Sequence, residues 1–245
     1  MTSRVLALLT AFDEEHPSRT LTELASAAGL PVSTAHRLLL ELQTGQAVER
    51  DPADGHYRVG RWLWQLGTLA PVHRELREVA LPVMLDLYEA THENVHLAVR
   101  DGITALYVER LHGRGSVPLA SQAGTRLPLH ATGVGKVLLA WADSEVRAQV
   151  LADLRQVTPY TIRESGRMVR ELADVRRSGY ARTVEEMTLG TWSIAVPVFQ
   201  PDGKLAASLG LVTRTARRDL GKYAPALRIA AASITRAMAA APTTP

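Results

Sequence analysis

The sequence predicts an α+β protein that opens with a winged helix-turn-helix. Three observations carry this expectation. Three short amphipathic helical segments lead into a hairpin with an Asp-Gly turn. A further helical stretch follows, marked by two prolines. The remainder alternates strand and helix patterns, with turns at Asp101-Gly102 and Asp202-Gly203, as in a mainly antiparallel sheet with helices grouped between its hairpins.

The first helix is expected from about Ser3 to Phe12, with Val5, Leu8, Leu9 and Phe12 on one face, and Glu14-Glu15-His16-Pro17 breaks it. Thr20 or Thr22 can cap a second helix through Ala28, whose Leu21, Leu24, Ala25 and Ala28 face inward. Gly29 supplies the turn. A third helix runs from about Pro31 to Gln43; Val32, Ala35, Leu38, Leu39 and Leu42 form its apolar stripe, with Ser33, Arg37 and Glu41 opposite. Strands at Ala47–Asp51 and His56–Val59 are joined by Pro52-Ala53-Asp54-Gly55, a hairpin signal.

From Arg61 to about Glu93 the pattern is helical again, bent or interrupted near Pro71 and Pro82. This stretch reads as a linker, so the expected organisation is a DNA-binding domain over 1–60, a helical linker over 61–93 and a second domain over 94–240. Within the second domain, strands are expected at Asn94–Val99, Ile103–Arg110, Val117–Ser121, Tyr180–Glu185, Trp192–Phe199 and Lys204–Thr213. Helices are expected at Gly133–Ala142, Ser144–Leu151, Arg167–Ser178 and Leu220–Ala239.

The 245 residues are 46% apolar and 22% charged, ordinary values for a folded chain. The absence of cysteine excludes a disulfide framework, an iron–sulfur cluster, a thiolate zinc site and a cysteine nucleophile, and it fits a reducing cytoplasm. No apolar run is long enough for a membrane span. The apolar start is followed directly by Asp13, Glu14 and Glu15, without a cleavage pattern, so a soluble cytoplasmic protein is expected. Net charge is +3, with lysine only at positions 136, 204 and 222. Arginine favours bidentate contacts with phosphate or carboxylate.

A recognition helix must bury one face and carry its N-terminal half into the major groove. Ser33, Thr34, His36 and Arg37 occupy that half, and Arg58 lies on the wing. Hydroxyls can bond phosphates or base edges, and arginine can grip guanine bidentately. The plainer alternative is that Ser33 and Thr34 only cap the helix and Arg37 is a solvated charge. Between Met1 and Arg74, seven arginines stand against eight acids, so any electrostatic footprint must be local. Leu40 faces outward, where a packing or dimer contact is its only evident use.

Several enzyme signals fail. Gly133-Val134-Gly135-Lys136 has Val137 after the lysine and His130 at the upstream glycine position of a phosphate loop. Gly113-Arg114-Gly115 lacks its third glycine. His92 and His96 would share a face only on a helix, and Asn94–Val99 reads as a strand, so no metal or other cofactor is expected. Triads assemble in three dimensions and cannot be assigned from spacing.

The stretch Ser33-Thr34-Ala35-His36-Arg37-Leu38-Leu39 resembles the recognition helix of IclR-type bacterial transcriptional regulators. Leu127-Pro128-Leu129-His130-Ala131-Thr132-Gly133-Val134-Gly135-Lys136-Val137-Leu138-Leu139-Ala140 is similar to that family's mid-domain motif. Gly179, Thr183, Glu186 and Ser193 fill its C-terminal signature, followed by Ile194-Ala195 and Val198-Phe199. Two positions depart from the pattern: Thr183 stands where an acid or serine is usual, and Gln200 where Asp or Asn is usual.

The resemblance spans the chain and implies a winged-helix DNA-binding domain, a linker helix and a GAF/PAS-like effector domain. It further implies a homodimer or tetramer, a non-enzyme, that binds pseudo-palindromic double-stranded DNA under control of a small organic acid. Carried residue by residue, the implied effector site is Gly133, Val134, Thr183, Thr191, Ser193, Gly210 and Val212, with Leu119 as an apolar wall. The residues themselves agree in part. Gly133–Gly135 opens a helix whose amides and dipole favour a carboxylate. Thr191, Ser193 and Ala195 share one strand face, where small polar side chains can line a pocket without filling it. Close packing at Gly133 and a satisfied buried hydroxyl at Ser193 are the alternative. Other readings are an effector domain that only oligomerises, or an enzyme with a regulatory winged helix. Thr183 in place of an acid points to a monocarboxylic effector with an apolar or aromatic body.

Overall fold

The computed structural model describes residues 1–13, 16–68, 73–112, 123–214 and 220–240. The chain divides into two units, Met1–Val72 and His73–Pro245. The expected linker over 61–93 is therefore split between them.

In the first unit, α1 (Thr2–Leu9), α2 (Leu21–Ala27) and α3 (Val32–Thr44) bury Leu8, Leu24, Ala25, Ala35, Leu38 and Leu39 together with Val48 and Tyr57 of the wing. Thr20 starts α2 through a capping box: its hydroxyl accepts from Glu23 N–H at 3.3 Å, and the Glu23 carboxylate accepts from Thr20 N–H at 2.8 Å. Gly29, at φ +64°, makes the turn into α3. Val32 departs from the expected inward stripe. It lies in the first turn of α3 and is exposed.

The wing is a three-stranded sheet, because a short strand β1 (Ser18–Arg19) pairs with β3 (Tyr57–Val59) on the side away from β2 (Val48–Arg50). Two residues are too short for a strand signal in the sequence. Helix α4 (Arg61–Thr68) also belongs to this unit, contacts β2, and leaves Trp62, Trp64 and Leu66 exposed.

The second unit begins with α5 (Arg74–Thr91), which runs unbroken through Pro82. Position 82 is on the exposed side, so the helix carbonyl deprived of its donor can be hydrated. The remaining strands are β4 (Asn94–Asp101), β5 (Thr104–Leu111), β6 (Arg126–Pro128), β7 (Ala181–Val184), β8 (Trp192–Phe199) and β9 (Leu205–Thr213). They form one antiparallel sheet in the order β6-β5-β4-β9-β8-β7. The strand expected at Val117–Ser121, like Pro71 and Gly113-Arg114-Gly115, lies outside the described residues.

Both faces of the sheet are covered. Val95, Leu97 and Val99 of β4, Ile194, Val196 and Val198 of β8, and Leu209 and Leu211 of β9 pack against α5 and α9 (Ala224–Ala240), which follows a short 3-10 turn at Leu220–Tyr223. Leu76 of α5 is buried in this layer. The opposite face receives α6 (Gly133–Ala140) and α8 (Ser165–Ser178), with α7 (Ser144–Ala152) beyond them. No helix among the described residues is long and apolar enough to cross a membrane.

Candidate functional site

On the first unit, α3 presents Ser33, His36, Arg37 and Leu40 outward at spacings of three and four, while Thr34 is half-buried. The helix N-cap is Pro31 and no side chain caps it, so neither Ser33 nor Thr34 is used as a cap. The Arg37 guanidinium reaches Glu41 at 3.5 Å, a solvated pair of little net energy. Arg58, on the wing, lies 3.0 Å from Asp51 and 3.7 Å from Asp54. The wing arginine is thus held by two carboxylates. Asp54 is itself fixed by the His56 N–H, at 2.9 Å, which is the main reason its carboxyl sits below the ordinary range.

On the second unit, sheet register builds a cavity under the start of α6. One row across the sheet is Ala181, Ala195, Gly210 and His96; the next is Thr183, Ser193, Val212 and Asn94. The small residues of the first row let α6 approach the sheet closely. A Cβ built on Gly133 would stand 2.5 Å from Ser193 Oγ, and one on Gly210 would stand 2.9 Å from Val134 Cγ1. Close packing therefore accounts for both glycines. Beside that contact the layers leave about 470 Å³ of atom-free space, part of it open to solvent.

Gly133, Val134, Thr183, Thr191, Ser193, Gly210 and Val212 all line this one cavity, while Leu119 lies outside the described residues. Thr183 Oγ1 and Ser193 Oγ, a cross-strand pair, share a hydrogen bond of 2.5 Å. Thr191 donates its hydroxyl to Thr188 C=O at 2.6 Å. Thr132 caps α6 by accepting from Gly135 N–H at 3.0 Å, and the first intrahelical bond runs from Lys136 N–H to Thr132 C=O. The amides of Gly133 and Val134 precede that bond and have no intrahelical acceptor.

His96, Tyr107, Leu127, Thr132, Met187 and Thr188 also line the cavity; the sequence reading placed none of them in the effector site and weighed His96 only as a metal ligand. His96 is 2% exposed, its ring meets Tyr107 edge-on at 5.3 Å, and its Nε2 has no hydrogen-bond partner among the described residues. Burial, with Arg110 and His112 nearby, pushes its pKa down to about 3, so the ring is neutral at physiological pH. Burial likewise pushes the Tyr107 hydroxyl well above its ordinary range. The one available signal was a histidine in an otherwise apolar strand.

Lys136, in the run compared with a phosphate loop, is 0% exposed and does not line the cavity. Its Nζ donates to Glu186 at 2.6 Å and Glu171 at 3.2 Å. Burial pushes the Glu186 carboxyl up even with that ammonium against it. His130, at the upstream position, bonds Arg155 C=O at 2.9 Å. The run is a structural joint between α6, α8 and the loop after β7. Among the described residues no three His, Asp or Glu side chains converge as a metal site would require.

Comparison with known proteins joins the two units to one family. The family model described as bacterial transcriptional regulator IclR C-terminal matches residues 69–236, and the IclR helix-turn-helix domain matches residues 2–52. The HTH-type transcriptional regulator XynR of Escherichia coli K12 is 32% identical over 240 residues, covering 96% of this chain and 95% of XynR. The HTH-type transcriptional repressor AllR of the same organism is 30% identical over 210 residues, covering 85% of this chain and 78% of AllR. The crystal structure of an IclR homolog from Microbacterium hydrocarbonoxydans, complexed with 4-hydroxybenzoate, superposes with a TM-score of 0.91 at 32% identity, covering 98% of this chain and 99% of that one.

Proposed function

Because the chain belongs to the IclR family of bacterial transcriptional regulators, we propose that it binds a pseudo-palindromic operator in the cytoplasm and that a small organic acid in the cavity beside α6 controls this binding. The observation that carries the reading is convergence. Residues from β7, β8, β9 and α6, separated by up to eighty positions in the chain, line one cavity at a helix N-terminus.

The lining side chains favour a monocarboxylic acid with an apolar or aromatic body. The start of α6 offers amides and the positive end of a helix dipole to one carboxylate. Among the described residues, the lining holds no lysine, arginine, aspartate or glutamate. A second carboxylate would be buried without a cation, at a cost of several kcal/mol. The monoacid bound by the Microbacterium homolog, 4-hydroxybenzoate, supports the same class. On DNA, α3 would enter the major groove with Ser33, Thr34, His36 and Arg37, while Arg58 would meet the backbone from the wing. A single α3 reads too short a half-site for specificity over a genome, and the exposed Trp62, Trp64 and Leu66 of α4 suit a contact with a second copy. This regulator is not read as an enzyme.

Fluorescence anisotropy with the DNA upstream of its own gene tests the reading. Aromatic monocarboxylic acids should shift the operator affinity and short dicarboxylates should not. Tight DNA binding that no organic acid alters would reduce the second unit to an oligomerisation module.

A further inference from the structure

The cavity has a polar feature that carboxylate recognition does not use. Following the sheet order, its lining runs from Thr183 and Ser193, through Val212 of β9, to His96 of β4 and Tyr107 of β5. Val134 of α6 packs over Gly210 of β9, the register partner of His96. The cavity therefore has hydroxyls and helix amides at one end, two valines between, and an imidazole at the other. Gly133 lies over β8 and His96 on β4, two strands away, a lateral separation of roughly 10 Å at ~4.8 Å per strand.

A buried polar atom without a partner is rare in a folded protein and costs stability, so each one requires an account. The Nε2 of His96 is such an atom, and it belongs to a side chain that lines the cavity. A metal does not explain it, because no group of three His, Asp or Glu side chains gathers there among the described residues. A charge partner does not either: the ring is neutral, and the charged group nearest in register, Arg110, is a cation. A neutral imidazole nitrogen can donate or accept according to tautomer, so it suits an uncharged hydroxyl or carbonyl.

We propose that His96 is a specificity-determining residue of the effector site, its Nε2 hydrogen-bonding an uncharged hydroxyl or carbonyl group at the end of the ligand remote from the carboxylate. This rests on the reading of the cavity as an acid-effector site and narrows the ligand class. The effector is a monoacid that carries a second, neutral polar group across an apolar body. The valines accommodate the body, the α6 amides hold the carboxylate, and His96 distinguishes a hydroxy or oxo acid from its parent hydrocarbon acid. Without that group the ligand would leave Nε2 buried and unpaired.

The test is calorimetry on the whole chain with paired probes: benzoate and 4-hydroxybenzoate, phenylacetate and 4-hydroxyphenylacetate, 3-phenylpropionate and 3-(4-hydroxyphenyl)propionate. Wild type should bind at least one polar member on the order of tenfold tighter than its parent. His96→Phe should bind both members of that pair alike, at the parent's affinity, and its ligand-free Tm should equal or exceed that of wild type because the unpaired atom is gone. His96→Gln, which keeps a hydrogen-bonding group, should retain part of the preference. A preference that survives in His96→Phe overturns the proposal, as does tighter binding of every parent acid. A variant with lower Tm and unchanged preference marks a structural histidine and overturns it too. Failure of all six acids to bind wild type removes the acid-effector reading itself, and this proposal with it.

Discussion

Gly133 and Ser193 approach so closely that a methyl group on the first would stand 2.5 Å from the hydroxyl oxygen of the second. That contact sets the height of α6 above the sheet. The Gly133 backbone is not in a glycine-only conformation, so the constraint is steric. Gly133→Ala should destabilise the second unit by roughly 1–3 kcal/mol through overpacking. Adding Ser193→Ala removes the oxygen and leaves a contact of 3.4 Å to Cβ, so the double variant should be more stable than Gly133→Ala alone. Denaturant unfolding of the four proteins measures the coupling, and strict additivity would contradict it.

Thr183 shares its hydrogen bond with Ser193, so an aspartate at 183 would find a donor and the protein should still fold. The buried negative charge would oppose an acidic ligand in the same cavity. Thr183→Asp should weaken a monocarboxylic effector by roughly 1–3 kcal/mol. Titration calorimetry decides this, and unchanged affinity would detach Thr183 from the ligand.

The two arginines proposed to meet DNA differ in what they must give up. Arg37 has only a loose partner in Glu41, whereas Arg58 is held by Asp51 and Asp54. Arg37→Ala should cost about 1–3 kcal/mol on the operator and relax its sequence preference. Arg58→Ala should weaken binding to every sequence and lower the salt slope. Asp54→Asn, which keeps the acceptor for His56 N–H, should strengthen non-specific binding. Salt titrations on operator and scrambled DNA separate these effects.

Trp62 and Leu66, one turn apart and both exposed, form an apolar face on α4, and Trp64, 68% exposed, projects from the other side. We expect a dimer or tetramer at micromolar concentration and dissociation on Trp62→Glu. Multi-angle light scattering reads both, and a monomeric wild type would remove this face from assembly.

The pKa of His96, lowered from 6.5 to about 3, makes stability depend on pH. The folded state resists a proton that the unfolded chain accepts below pH 6.5. The histidine's contribution is therefore complete above that pH and is lost as pH falls toward 3, by up to about 1.4 kcal/mol per unit. Unfolding curves from pH 7 to pH 4 should show a steeper loss for wild type than for His96→Phe. Parallel curves would mean that another group governs acid sensitivity.

The sequence alone determined the parts that depend on local pattern. The apolar stripe of α3, the Asp54-Gly55 hairpin, the bounds of β8 and the alternation of Ser193 and Ala195 against Ile194 and Val196 all follow from periods of 3.6 and 2 and from turn chemistry. The motif resemblance brought together the seven described residues of the proposed effector site. Only the tertiary structure decided what covers each face. Periodicity tells that a strand has two sides but not whether the second meets water or a helix. For that reason His96 was legible only as a histidine in a strand, until α6 and β5 closed over it. Lys136 was ambiguous because Glu186 is 50 positions away, and only folding brings an ammonium and a carboxylate together in the interior. The division within 61–93 was hidden for the same reason: α4 and α5 are alike as amphipathic helices, and the apolar face of α5 finds a sheet within its own unit while that of α4 stays exposed.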